Sequence, residues 1–177
     1  GNPAFVSSGN GVNVVMRARD AAGNDITAGG LSVSFSYSGG TSTGNFSTVT
    51  DGGNGTYSAT LTGQVAGTSS TIRAAISGSN LTSAGYALVV VPGAVSLSNS
   101  TVAVGSGTVA SGSSTSVTVT VRDSFGNQIP SGNTVVLNNT GGTSTGSFST
   151  VTDNGNGTFS ANFTGLVAGS PTTITAT

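Results

Sequence analysis

One hairpin, written twice, constrains this chain more than any other feature. The stretch Asp153-Asn154-Gly155-Asn156-Gly157-Thr158-Phe159 lies between two alternating runs, Phe148–Thr152 and Phe159–Thr164. Its earlier copy, Asp51-Gly52-Gly53-Asn54-Gly55-Thr56-Tyr57, lies between Phe46–Thr50 and Tyr57–Thr62. Asn and Gly tolerate the positive φ that a tight turn demands, so Asn-Gly between period-two apolar runs predicts an antiparallel hairpin. The segments Gly39–Ala75 and Gly141–Thr177 agree at roughly 26 of 37 positions, an internal repeat with an offset near 102. A chain of 177 residues with that offset divides into two domains of about 100 residues each, the common domain size. They are expected at residues 1–92 and 93–177.

The remaining runs have the same character. Val12–Arg19 turns Val12, Val14, Met16 and Ala18 to one face, and Thr115–Arg122 does so with Val117, Val119 and Val121. Each ends in Arg-Asp and a turn, Ala22-Gly23-Asn24 or Phe125-Gly126-Asn127. Leu31–Tyr37 and Thr134–Asn138 then lead into a shared Gly-Gly-Thr-Ser-Thr-Gly loop. After the hairpin, a loop (Gly63–Thr68, Gly165–Ser170) precedes Thr71–Ile76 and Thr172–Thr177. Only the first copy continues to Tyr86–Val91, and Pro92-Gly93 forms the linker. No stretch has a helical period, and turn signals recur about every ten residues. The expectation is all-β: two tandem immunoglobulin-like sandwiches of about seven antiparallel strands each. Strand A of the second copy covers Val95–Val104, with a break expected at Ser98–Ser100. The terminal strands are incomplete in this reading. The first domain begins partway through strand A, and the second stops in strand F, without strand G. Such a domain exposes unpaired backbone groups beside strand F, so either the chain is a window on a longer array or a neighbour supplies a strand by β-augmentation.

Composition limits the chemistry. Charged residues make up 5% of the chain, all of them Arg or Asp, and the net charge is −1. Nothing here attracts a phosphate backbone or an anionic membrane, so nucleic acid is not an expected partner. No apolar run approaches the ~20 residues of a membrane helix, so membrane insertion is not expected. His, Cys, Lys and Glu are absent, which removes most nucleophiles and general bases and leaves any Ser without its usual activator. The expectation is no enzyme and no catalytic residue.

Two kinds of site remain as candidates. A sandwich of this strand order gathers Asp123 and Asp153, with Asn127 and Asn156, at one pole, as calcium candidates. Calcium takes six to eight oxygens, usually from several carboxylates, and this hairpin lacks the closing Glu of a calcium loop. Paired turns with solvated aspartates are the competing reading. Seven Asn-X-Ser/Thr triplets occur, against about five expected by chance from the composition. Asn80, Asn99 and Asn138 are the glycosylation candidates. Arg73 is expected on a solvated face, and Tyr37, Tyr57 and Tyr86 in the core or at its rim.

The residues also carry a resemblance. Asp153-Asn-Gly-Asn-Gly-Thr-Phe-Ser-Ala resembles the D–E hairpin of filamin-type immunoglobulin repeats. The broader pattern, Val-Arg-Asp-Ser-Phe-Gly-Asn-Gln-Ile-Pro-Ser-Gly followed by Ser-Thr-Val-Thr-Asp, resembles the bacterial immunoglobulin-like repeats of invasin- and intimin-type surface proteins. That resemblance implies an extracellular structural or adhesive module, a stalk or fibre segment at a cell surface. Its partners would be neighbouring repeats of the same or adjacent chains, or a host or surface glycan or protein. Two alternatives stand beside it: a self-assembling subunit of a surface layer, pilus-like filament or phage virion using strand complementation, and a glycan- or receptor-binding module.

Overall fold

The alternating runs become strands wherever one face finds apolar cover. The computed structural model describes residues 3–177, and the chain divides between Gly93 and Ala94 into two units. The first holds β1 (Ala4–Ser7), β2 (Gly11–Arg17), β3 (Val33–Ser38), β4 (Thr43–Phe46), β5 (Thr50–Asp51), β6 (Thr56–Val65), β7 (Ser70–Ile76), β8 (Ser79–Asn80) and β9 (Tyr86–Val91). One sheet runs β2-β6-β4, with β5 also on β6. The other runs β1-β9-β7-β3, with β8 on β7. Val6, Leu61, Ile72, Leu88 and Val90 come from both sheets into one cluster, and Met16, Ala18 and Tyr57 form a second.

The second unit holds β10 (Thr101–Val104), β11 (Ser114–Thr120), β12 (Leu137–Thr140), β13 (Thr145–Phe148), β14 (Thr152–Asp153), β15 (Thr158–Val167) and β16 (Thr173–Ala176). Its larger sheet runs β10-β11-β15-β13, with β14 on β15, while the facing sheet is the pair β12-β16. Val117, Val119 and Val121 meet Phe159, Ala161 and Phe163 in a single core, with Phe148 packed against it. The expected inward faces are therefore the observed ones. The break expected in strand A is a turn, in which Asn99 and Ser100 amides both donate to the Ser96 carbonyl.

Several boundaries differ from the sequence expectation, each for a reason of pairing. The central strand does not stop at Thr62 or Thr164. It runs on through Gly63–Val65 and Gly165–Val167, because β4 and β13 begin inside the Gly-Gly-Thr-Ser-Thr-Gly segment and pair with it across a bulge. The expected strands Phe46–Thr50 and Phe148–Thr152 are interrupted. There the Ser47 and Ser149 hydroxyls accept the amides of Thr60 and Asn162, at 2.9 and 3.0 Å. The expected Thr134–Asn138 strand shifts to Leu137–Thr140, the stretch that faces β16. One pairing corrects the all-antiparallel expectation: β1 runs parallel to β9, Ala4 opposite Leu88 through Ser7 opposite Val91. The whole of the unit separates β1 from β9, the long connection that a parallel pair needs.

Phe159 is 3% exposed at the centre of the second core. Its replacement by Ala is expected to destabilise that unit by about 3–5 kcal/mol. Urea unfolding followed by tyrosine-independent probes, such as amide exchange in β15, measures the loss. A change under about 1 kcal/mol would contradict the packing described.

Candidate functional site

Four turns hold every aspartate but one. Asp-x-x-Gly-Asn occurs at Asp20–Asn24 and Asp123–Asn127, and in both copies the aspartate organises the turn. Asp20 Oδ1 accepts the amides of Ala22 and Asn24 at 2.9 and 2.8 Å, and Oδ2 accepts the Asn24 side chain at 2.9 Å. Asp123 repeats this with Phe125 and Asn127, at 2.9, 2.9 and 2.8 Å. These are Asx-type turns, in which the carboxylate takes amides that the loop would otherwise leave unpaired.

The two copies differ in cover. Asp20 is exposed, whereas Asp123 is 0% exposed. Residues 95–100 lie over Asp123: Val95 bridges to it, the Ser96 amide donates to the Arg122 carbonyl, and Asn99 Nδ2 donates to the Asp123 carbonyl at 3.0 Å. A buried carboxylate demands hydrogen bonds on its oxygens, and the turn's own donors supply them.

The hairpins behave alike. Asp51 Oδ1 accepts the Gly53 amide and Oδ2 the Gly30 amide, at 2.8 and 2.7 Å. Asp153 Oδ1 accepts the Gly155 amide at 2.8 Å, and Asn156 Oδ1 accepts the Thr158 amide at 3.0 Å. The Asp123 turn and the Asp153 hairpin do meet at one end of the unit. Val121 N donates to Gly157 O at 2.8 Å, and Ile129 N donates to Val121 O at 3.1 Å. Gly157 sits at φ +85°, with Ile129 backbone 3.0 Å from where a Cβ would be. Of the four calcium candidates, Asp123 and Asn127 are bonded to each other, while Asp153 and Asn156 serve their own hairpin. Among the described residues, no group of three or more His, Cys, Asp or Glu side chains is placed to hold a metal ion.

The other candidates fall as follows. Asn80 and Asn138 are exposed, in β8 and β12. Asn99 spends the nitrogen that a glycan would use on the Asp123 carbonyl. Arg73 is exposed on β7; Tyr57 is buried with its hydroxyl on the Leu31 amide, while Tyr37 and Tyr86 are surface residues. Charge is concentrated at Asp25, which pairs with Arg17 and Arg19 at 2.9 Å each. A cleft of about 550 Å³ in the second unit lies beside β16, on the flank of strand F where the sequence reading expects unpaired backbone groups.

The comparisons with known proteins agree with this geometry. The family description Invasin, domain 3 matches twice, over residues 3–90 and 96–177. The chain belongs to the Invasin domain 3 family. Among solved structures it is similar to the Escherichia coli adhesin FdeC, at 28% identity and a TM-score of 0.52, covering 93% of this chain and 53% of that one. It is also similar to invasin, described as a bacterial integrin-binding protein (22% identity, TM-score 0.55, 93% of this chain, 32% of that one). The Yersinia pseudotuberculosis adhesin InvE is a third (19%, 0.52, 98% and 53%). The chain thus spans about half or less of these proteins. No curated protein matches. The immunoglobulin-like fold and the adhesin-domain family of these two units are established. No helix among the described residues is long and apolar enough to cross a membrane.

The aspartates of the first unit make its stability sensitive to acid. The Asn24 side chain and then its amide lower the Asp20 pKa; the Arg19 guanidinium is the chief cause for Asp25, and the Gly30 and then Gly53 amides for Asp51. A carboxyl whose folded value lies below its unfolded one adds stability above the unfolded value, near pH ~4, and loses it as pH falls through the folded value. The first unit should therefore keep its melting temperature from pH 7 to about 5 and lose it progressively below about 4. Calorimetry over that range checks this; a melting temperature that rises on acidification would contradict it.

Proposed function

We propose that this chain is a structural segment of an extracellular surface adhesin, two modules of a stalk or fibre that carries other domains. The observation that carries the reading is the tandem match to one adhesin-domain family, with near-identical hairpins at the centre of both units. The surface suits a spacer. It is nearly uncharged and rich in Ser, Thr, Asn and Gly, with side-chain polar groups spent on turns. A spacer needs repeated folding units, and it needs no catalytic group. On this reading the protein is not an enzyme and takes no cofactor; its partners are adjoining modules.

The test has two arms. Antibodies raised against the purified chain should label intact, unpermeabilised cells that produce the protein, and the purified chain should show no saturable binding to host cells or glycan arrays. Labelling only after permeabilisation would overturn the surface assignment. Saturable binding by the chain itself would favour a receptor- or glycan-binding module; invasin is itself described as integrin-binding.

The same reading makes the aspartates turn acceptors and not calcium ligands. Melting temperatures in chelator and in millimolar calcium should agree within about 1 °C. A ligand bound at a hundred times its dissociation constant would add about 2.7 kcal/mol, so a rise of several degrees, abolished by Asp153→Asn, would overturn the turn-acceptor reading.

A further inference from the structure

Strand β3 lies at one edge of the sheet β1-β9-β7-β3, paired with β7 on one side only. The edge is internal to its unit: β2 precedes it, and β4 to β9 follow. Its register with β7 runs unbroken from Val33 opposite Ile76 to Ser38 opposite Thr71. One step beyond that ladder, the Ser77 amide donates to the Ser32 carbonyl at 2.8 Å. Hydrogen-bonded pairs alternate along antiparallel strands, so Ser34, Ser36 and Ser38 are the residues bonded to β7. The backbone amides and carbonyls of Val33, Phe35 and Tyr37 therefore point away from the sheet. No other hydrogen bond among the described residues takes them.

An open edge is normally blunted by a short strand, a bulge, a proline or a charge. Other edges of this chain carry such devices: β4 and β13 have bulges, and β10 and β12 have four residues each. β3 has six residues, Val-Ser-Phe-Ser-Tyr-Ser, with no proline and no charge. No charged residue occurs from Ile26 to Thr50. The inward rings along this edge are already held. Phe46 stacks on Phe35 and on Tyr37, with centroids 6.0 Å apart in each case, and the Tyr37 hydroxyl donates to the Gly44 carbonyl at 3.1 Å. On the outer face Ser34 and Ser36 are exposed. In the second unit the counterparts of Phe35 and Tyr37 are Leu137 and Asn139, on the shorter β12, so the first unit presents the fuller edge.

We propose that β3 is a self-association edge whose partner is β3 of a second copy of this chain, antiparallel about a two-fold axis at Phe35. A two-fold contact is made by one patch with itself, so the patch must complement itself. This strand does. Centred on Phe35, the pairing sets Phe35 opposite Phe35 and Val33 opposite Tyr37, and their outward backbone groups meet as hydrogen-bonded pairs. Ser34 then stands opposite Ser36 of the second copy on either side of the axis, where two small hydroxyl side chains neither repel nor crowd. Two copies bring the same charges together, so an edge that pairs with itself needs to be free of them, as β3 is. The result is one sheet shared by two chains, β1-β9-β7-β3 from each. The proposal concerns contact between chains and stands apart from the stalk reading.

The experiment uses the whole 177-residue chain. Sedimentation equilibrium from micromolar to millimolar chain should show a reversible monomer–dimer equilibrium. Hydrogen exchange at both ends of that range should show the Val33, Phe35 and Tyr37 amides gaining protection with concentration. The Ser34 and Ser36 amides, already bonded to β7, should change little. Charge tests the register. Ser34→Lys with Ser36→Lys sets lysine against lysine on both sides of the axis, whereas Ser34→Lys with Ser36→Glu sets lysine against glutamate. Opposed like charges destabilise a cross-strand pair and opposite charges stabilise it, so the first variant should dimerise at least about tenfold more weakly than the second, and the second within about threefold of the unsubstituted chain. A monomer at millimolar concentration, equal dimerisation of the two variants, or protection that falls on other strands would overturn the proposal. Should a variant fail to fold, the alternate-amide pattern of the unsubstituted chain decides alone.

Discussion

Both units depend on the burial of one long central strand. β6 and β15 have ten residues each, and every second side chain from Tyr57 to Leu61, or from Phe159 to Phe163, points into the core. The same strands carry the pairing of their sheets. β2 and β4 flank β6, and β11 and β13 flank β15, so a one-residue slip would turn all of these side chains to solvent. The Asn-Gly turns set that register by feeding the chain into the central strand at Thr56 and Thr158. Even the bulges near Gly44 and Gly146 serve it, letting the ladder continue to Val65 and Val167.

A chain with so few charges satisfies its loops by other means. Serine hydroxyls take the amides where β4 and β13 break off, and aspartate carboxylates take them in the Asp20 and Asp123 turns. The buried polar atoms of the described side chains all find partners. These groups are therefore committed to structure, which is why the candidate pole of the second unit is a set of closed turns. A module of that kind offers little side-chain chemistry.

Much of this was legible because period-two alternation and turn chemistry are local. The hairpins, the inward face of Val117, Val119 and Val121, the exposure of Arg73 and the break before Thr101 all follow from short stretches of residues. Strand ends were less legible. Gly63–Val65 looks like a loop until β4 is known to lie opposite, and Thr134–Val136 looks like a strand until the ladder with β16 is seen to begin at Leu137. The candidate site was legible as residue types and partly as placement. Asp123 and Asp153 do belong to neighbouring turns, but the direction of each carboxylate depends on which amides its own turn presents.

The sequence by itself determined the repeat, the sandwich and the turn positions, because each is encoded within a few residues of where it acts. Only the tertiary structure decided two things: it paired β1 with β9 in parallel, and it buried Asp123 under residues 95–100. Each is a contact between segments far apart in the chain, and burial is a property of the neighbour as much as of the residue.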